Sequence, residues 1–288
     1  MGTKEASRRD IFDTEWRDAH RRLLENVRLR PFVSKYEFSA YTILQGQKIY
    51  LPAYIPYIGP RYFQSRPRIL CYAINQNLSP HVRWTQEWVA SWAADMEYAR
   101  DRLNRALSEG KAMPIRPYAE GFIPLVALIA SSRWTRVNGG CPPDCIDDVL
   151  SVTNFVKFST AGDASSSSIP TEWWRECAAQ YVETEIQTLR PDVIVAFGQR
   201  TEREIRRVIA LLADEVPQPL LLGCRFPARI PSLRARPMTE HESGIWESTI
   251  RPFIKHMRQP PAHSYHRWKI DRYPGYFMDI AREWALIA

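Results

Sequence analysis

The chain has 288 residues, 45% of them hydrophobic, enough to bury a substantial core as one large domain or one domain with an extension. No apolar run approaches the roughly 20 residues of a membrane span, and the N-terminal MGTKEASRRD lacks the apolar stretch of a secretory signal, so a cytoplasmic protein with no membrane partner is expected. Lysine and arginine number 39 against 32 acidic residues; the resulting charge of +7 suits a polyanionic partner and suits an ordinary basic enzyme equally well.

In chain order, residues 14–29 put Trp16, Leu23, Leu24 and Val27 on one side and Arg17, Arg21, Arg22 and Arg28 on others, which predicts an amphipathic, solvated surface helix. From Lys35 to Ser65 the chain is aromatic and proline-rich, an ordered connector without long elements. Ile69 to Ala73 is short, apolar and preceded by Pro67, which predicts a buried strand ending in three amides, Asn75, Gln76 and Asn77. Ser79-Pro80 then reads as the start of a long helix whose stripe includes Trp84, Trp88 and Trp92. Most of such a stripe is core, but Trp84 and Trp88 lie nearest the amides and are candidates to meet a bound ring. The apolar run 121–130 fits helix or strand.

Five cysteines, an odd number, argue against a disulfide framework. Cys71, Cys177 and Cys224 have apolar neighbours and read as core. Cys141 and Cys145 have no second ligand pair at a suitable spacing, so no metal and no cofactor is expected.

Val149 to Lys157 is β-branched and aromatic, a second strand with Asn154 and Lys157 toward its end. Residues 159–168, STAGDASSSS, are too small and polar to pack and predict a mobile loop. Pro170-Thr171 opens a helix with apolar positions Trp174, Cys177, Ala178, Tyr181, Val182, Ile186 and Leu189, ended by Arg190-Pro191. Asp192 to Gly198 is a buried strand, Thr201 to Glu204 matches a capping box, and Ile205, Val208, Ile209 and Leu212 form the face of the helix that follows. Pro219 to Cys224 is a further strand, followed by a loop rich in arginine and proline over 226–236. Thr239 to Glu242 caps a last helix through Trp246, Ile250 and Ile254, distorted at Pro252; beyond Gln259 the tail shows no clean period. Strands alternating with helices imply an α/β domain over 67–258, with a mostly parallel sheet covered on both faces, a helical and aromatic extension over 1–66 packed on that core, and a tail over 259–288.

Four of these stretches raise a family resemblance. Ala73-Ile-Asn-Gln-Asn-Leu-Ser79 resembles the Gly-Ile-Asn-Pro-Gly-Leu-x-Ser motif of the mismatch-specific branch of the uracil-DNA glycosylase superfamily, and Val152-Thr-Asn-Phe-Val-Lys157 is similar to the Thr-Asn-x-Val-Lys strand of other branches. The helix and strand through Gly198 and the late Pro231-Ser232 follow in the family's order. The resemblance implies a three-layer α/β/α fold and a monofunctional glycosylase that acts on DNA as a monomer. It assigns Asn75 to positioning the attacking water, with Gln76 and Asn77 beside it, and Asn154 to reading the edge of the extruded base, with Ala73, Ile74 and Trp84 around it. Pro231-Ser232 would grip the DNA backbone, and Leu233 or Arg234 would wedge into the base stack.

The chemistry agrees with that assignment. A base within a duplex must be flipped out before its glycosidic carbon can be reached, and a wedge offsets part of the cost. Lys157, Arg229, Arg234 and Arg236, with Ser79, are the expected DNA contacts. The chain also departs from the family: Ala73 and Asn77 replace glycines, Gln76 replaces proline, and Ile230 stands where His or Asn is usual. Only Cys177 matches a cysteine of the iron–sulfur branch, with Phe158 at another ligand position, so no cluster is expected. A rebuilt loop without the usual donor points to a modified base, and members of the superfamily excise glucosylated hydroxymethylcytosine from phage DNA, an antiviral role. Conventional uracil or mismatch repair, a non-catalytic DNA-binding module and a hydrolase of free nucleosides are the alternatives.

Overall fold

The computed structural model describes residues 14–23, 25–26, 41–44, 47–50, 56–59, 61–78, 150–161, 169–224, 236–252 and 274–283. Strands β1 (Tyr41–Leu44) and β2 (Gln47–Tyr50) pair antiparallel with each other. A five-stranded sheet forms from β3 (Tyr57–Ile58), β4 (Ile69–Leu78), β5 (Leu150–Ala161), β6 (Val193–Phe197) and β7 (Leu220–Cys224), in the order β3-β5-β4-β6-β7. The four longer strands are parallel, and only β3 runs antiparallel, against β5. This is the mixed α/β class with a mostly parallel sheet that the alternation of elements predicted.

The strands form where they do because their residues are buried on both sides. All five residues of β6 are buried, as are Ile69 to Ala73 of β4, so neither strand shows the polar alternation of a half-exposed sheet. Leu70, Tyr72, Phe155, Ile194 and Ala196 share one core with three helices. These are α1 (residues 14–23), α2 and α3 (Gln199–Leu211). Helix α2 runs as Thr171–Cys177, a π-helical turn Ala178–Val182, and Glu183–Leu189. Its predicted apolar positions are buried or packed against this core, and it stops at Arg190, whose φ of 43° is left-handed, just before Pro191. Ile69, Cys71, Ala73, Val193 and Val195 alternate with the core residues along β4 and β6 and are buried too.

At the N-terminal end of the sheet, main chain and one carboxylate lock the register. Asp192 Oδ2 accepts from the Arg68 N–H at 2.7 Å, the Asp192 and Val193 N–H groups donate to Arg68 O at 2.9 and 3.1 Å, and the Leu220 N–H donates to Asp192 O at 3.0 Å. That leaves the C-terminal ends of the strands to carry a site.

Several expectations change. Arg17, Arg21 and Arg22 of α1 are exposed and Leu23 is buried, as predicted; Ala19 and His20 are buried too and Trp16 Nε1–H donates to Ile58 O at 3.0 Å, so α1 is more than a solvated surface helix. The connector contributes β3 to the central sheet, so a boundary at residue 67 falls within one sheet. The strand predicted to end at Ala73 continues to Leu78, and β5 continues to Ala161, into the stretch expected to be a loop. Thr201 makes no cap: Gly198, with φ 94°, turns the chain from β6 directly into α3, and Thr201 Oγ1 is buried without a partner among the described residues. The second capping box does form, with Glu242 N–H to Thr239 Oγ1 at 3.2 Å and Thr239 N–H to Glu242 Oε2 at 2.8 Å, at the start of α4 (Glu240–Ile245, continued by a π-helical turn Trp246–Ile250). The tail holds a helix, α5 (Pro274–Glu283), with Phe277, Met278 and Ala281 buried. The helix predicted after Ser79, the run 121–130 and Cys141 to Cys145 lie outside the described residues. Among the described residues no helix is long and apolar enough to cross a membrane.

Candidate functional site

From β4 the chain adds β5 on one side and then crosses back to add β6 on the other. Open parallel sheets bind ligands outside the carboxyl ends of the strands where the order reverses in this way, because loops diverge there and leave a crevice. At that point β4 outruns its neighbour. Its register with β6 ends at Tyr72↔Ala196 and β6 itself at Phe197, so residues 74–78 of β4 extend past it and pair with β5 alone. Ile74 is half-buried and packs on the core. A Cβ on Gly198 would come within 3.2 Å of Ile74 Cδ1, so glycine there serves both the positive φ and the close approach of β6's exit to β4.

Register decides which candidate residues meet. Ala73 is the Cα partner of Asn154, and Asn75 that of Val156. Positions 73, 75 and 154 therefore occupy one face of the sheet, opposite Tyr72 and Thr153. Two residues of strand and one strand spacing separate the Cα atoms of Asn75 and Asn154, about 8 Å. Ala73 and Asn154 are buried, at 2% and 5% exposure. Among the described residues the Asn154 side-chain amide has no hydrogen-bond partner. Beyond Asn75 the pairing becomes irregular: the partners of Asn75 and Asn77 are Val156 and Thr160, four residues apart against two, so β5 bulges by two residues beside the amides.

Lys157, expected at a DNA phosphate, is corrected: it lies in the interior, 1% exposed. Its Nζ donates to Glu185 Oε1 at 2.5 Å and to Thr153 Oγ1 at 2.6 Å, and lies 5.7 Å from the centre of the Tyr72 ring. Tyr72 OH donates to Glu185 Oε2 at 3.0 Å. Burial pushes the Lys157 ammonium down and the Glu185 carboxyl up from their ordinary ranges, against the opposing pull each exerts on the other. Burial also raises the Tyr72 phenol, with the Glu185 charge adding to the effect. The Lys157 main-chain N–H donates to Cys177 Sγ at 3.3 Å, and burial raises that thiol to about 12, as befits a core cysteine. Cys71 is likewise a buried free thiol.

Arg236, expected at a DNA phosphate, is partly exposed and engaged by acidic side chains. Its guanidinium forks onto Glu242, with Nη1 to Oε2 at 3.0 Å and Nη2 to Oε1 at 2.8 Å, and pairs with Asp279 Oδ1 at 2.9 Å. Arg282 reaches the same Glu242 carboxylate. Hydrogen bonds from Arg236 hold Glu242 down at about 2. Gly275 of α5 packs so closely on the Arg236 carbonyl that a Cβ would clash with it. The arginine thus pins the end of the Arg/Pro-rich loop to α4 and α5. His241 is exposed on α4.

No family model matches the chain, and no curated protein or solved structure does either. Of the remaining candidates, Asn75, Gln76 and Asn77 lie in the extended end of β4, and Ser79, Trp84, Arg229, Pro231, Ser232, Leu233 and Arg234 lie outside the described residues. Sequence reasoning missed Tyr72, Thr153 and Glu185. A signal for Glu185 was present: it falls four residues after Tyr181 and four before Leu189, on the buried stripe of α2.

Proposed function

We propose that this protein is a monofunctional DNA glycosylase of the uracil-DNA glycosylase type, a three-layer α/β/α enzyme that extrudes a modified pyrimidine and hydrolyses its N-glycosidic bond to leave an abasic site. The observation that carries the reading is the register that sets Asn75 about 8 Å from Asn154 on one sheet face, in the two motifs that resemble the family's water-positioning and base-reading strands. Asn154 offers a donor and an acceptor to a pyrimidine edge. Asn75 is neutral and not a strong base, so its part is to orient water toward an oxocarbenium-like carbon, while donors around the departing base stabilise its charge.

Gln76 and Asn77, beside the bulge in β5, are the changes that reshape the pocket, with Ala73 and Trp84 as its apolar surroundings; Ile74, expected beside the base, packs instead on the core at the opposite sheet face. With Ile230 in place of the usual donor, a base that leaves readily is favoured, such as glucosylated hydroxymethylcytosine in phage DNA. Arg229 and Arg234 hold phosphates, Ser79 and Pro231-Ser232 grip the backbone, and Leu233 or Arg234 fills the vacated stack. The enzyme acts as a monomer in the cytoplasm without a cofactor. Incubation with phage DNA of that kind and with uracil DNA, followed by detection of abasic sites, tests the reading; cleavage of uracil DNA alone would overturn the modified-base part.

One observation favours a second reading. With Lys157 committed to a buried ion pair, one expected cation is withdrawn from phosphates, which suits a hydrolase of free nucleosides. Turnover of nucleosides without any duplex, unaffected by Arg234→Ala, would select it.

A further inference from the structure

We infer that the buried Lys157–Glu185 pair positions the amide site, fixing how β5 leaves β4 beside Asn75 and hence where Asn154 stands. The inference rests on the glycosylase reading for its effect on catalysis, but the positioning itself can be measured without it. Four contacts converge on one spot. Lys157 Nζ ties Glu185 of α2 to Thr153 of β5, and Tyr72 of β4 ties itself to the same carboxylate. The Lys157 main-chain N–H turns to Cys177 of α2. Lys157 is the first residue after Val156, the last regular partner of β4 before β5 takes its two extra residues. Thus α2 grips β5 by side chain and main chain where the strand departs from its register. Tyr72 and Thr153, the strand residues inside the network, immediately precede Ala73 and Asn154 and are themselves Cα partners.

Stability does not account for ions in this place. Apolar side chains of similar volume commonly replace a buried ion pair without loss, whereas directional polar groups specify one register where apolar packing tolerates several. A shifted register moves Asn154 relative to Asn75, and a misplacement of about 1 Å can lower a rate about 100-fold.

The test compares wild type with Lys157→Met/Glu185→Leu, which keeps volume but removes the polar grip, and with Lys157→Gln/Glu185→Gln, which keeps a neutral hydrogen-bonded pair. Backbone hydrogen exchange over residues 150–161 and base release from glucosylated-hydroxymethylcytosine DNA and uracil DNA are read in parallel. The apolar variant is expected to stay folded, to exchange over 157–161 at least about 10-fold faster, and to lose kcat about 100-fold with KM within about threefold of wild type. The Gln/Gln variant is expected to recover both readouts to within about threefold. If the apolar variant does not fold, Tyr72→Phe is expected to speed the same exchange about threefold. Unchanged exchange and release in the apolar variant, or equal defects in both double variants, would overturn the positioning role. Absence of base release by the wild type from either DNA defeats the glycosylase reading alone, since the exchange comparison still decides the positioning claim.

Discussion

His20 should make the fold acid-sensitive in a range where few other groups titrate. It lies on the inner side of α1 at 2% exposure, with Nδ1 3.1 Å from the Trp16 carbonyl oxygen and its ring 4.0 Å from the Trp16 ring. Nε2 is buried with no partner among the described residues. A proton there would place an unsatisfied N–H and a charge in the core, and burial accordingly lowers the imidazole from 6.5 to about 4. The depressed value fixes the sign. Above pH 6.5 both native and unfolded chains hold a neutral ring; between 6.5 and 4 the unfolded chain takes up a proton that the native chain refuses, so stability falls as pH falls. At pH 5 the loss from this one group is about 2 kcal/mol. Urea unfolding of wild type and His20→Leu at pH 7.5 and pH 5 checks it: wild type should lose about 2 kcal/mol more than the variant. Equal losses would refute the reasoning. The defect should begin in α1, which docks through the Trp16 bond to Ile58 O and through Asn26 Nδ2–H to Gln180 O at 2.8 Å.

Three further substitutions concern the starts of helices α3 and α4. Glu242→Gln should lower stability at neutral pH by about 2 kcal/mol, because Arg236 and Arg282 lose a carboxylate that is buried although they are themselves partly exposed. Since Arg236 holds that carboxyl down at about 2, its stabilisation is complete above pH 4.5 and lost as pH falls toward 2, so thermal melts of wild type and variant should converge at acid pH. Thr239→Ala should cost about 1 kcal/mol by removing a cap. Thr201→Val should cost nothing, because that hydroxyl is buried without a partner among the described residues. Denaturant midpoints of the two threonine variants separate the real capping box from the apparent one.

Much of the sheet and of α2 was legible because burial on both faces forces continuous apolar runs, and a single apolar stripe forces helical spacing. Position within the fold was less legible. Asn154 and Lys157 were both read as facing a ligand, yet they are three residues apart on one strand, an odd number, and so belong to opposite faces. Lys157 found its partner in Glu185, an acid on an apolar stripe, which local sequence marks only if the stripe is carried through it. The Thr201–Glu204 motif matched a capping box, but the positive φ of Gly198 starts α3 three residues before the motif needs it. Helix α5 was overlooked although Pro274 at its first position is a start signal, because the aromatic and basic residues before it obscure the period. The pairing of Asn75 with Val156, which sets positions 75 and 154 on one sheet face, depends on a parallel register about 80 residues apart in the chain and no local pattern encodes it.

The central claim is that Asn75 acts on the chemistry of a flipped base and not on holding DNA. Base release and DNA binding of Asn75→Ala, measured separately on the substrate the wild type cleaves, test it most directly. Release should fall by at least about 100-fold with DNA affinity kept within about threefold. Release at the wild-type rate, or loss of binding together with release, would contradict it.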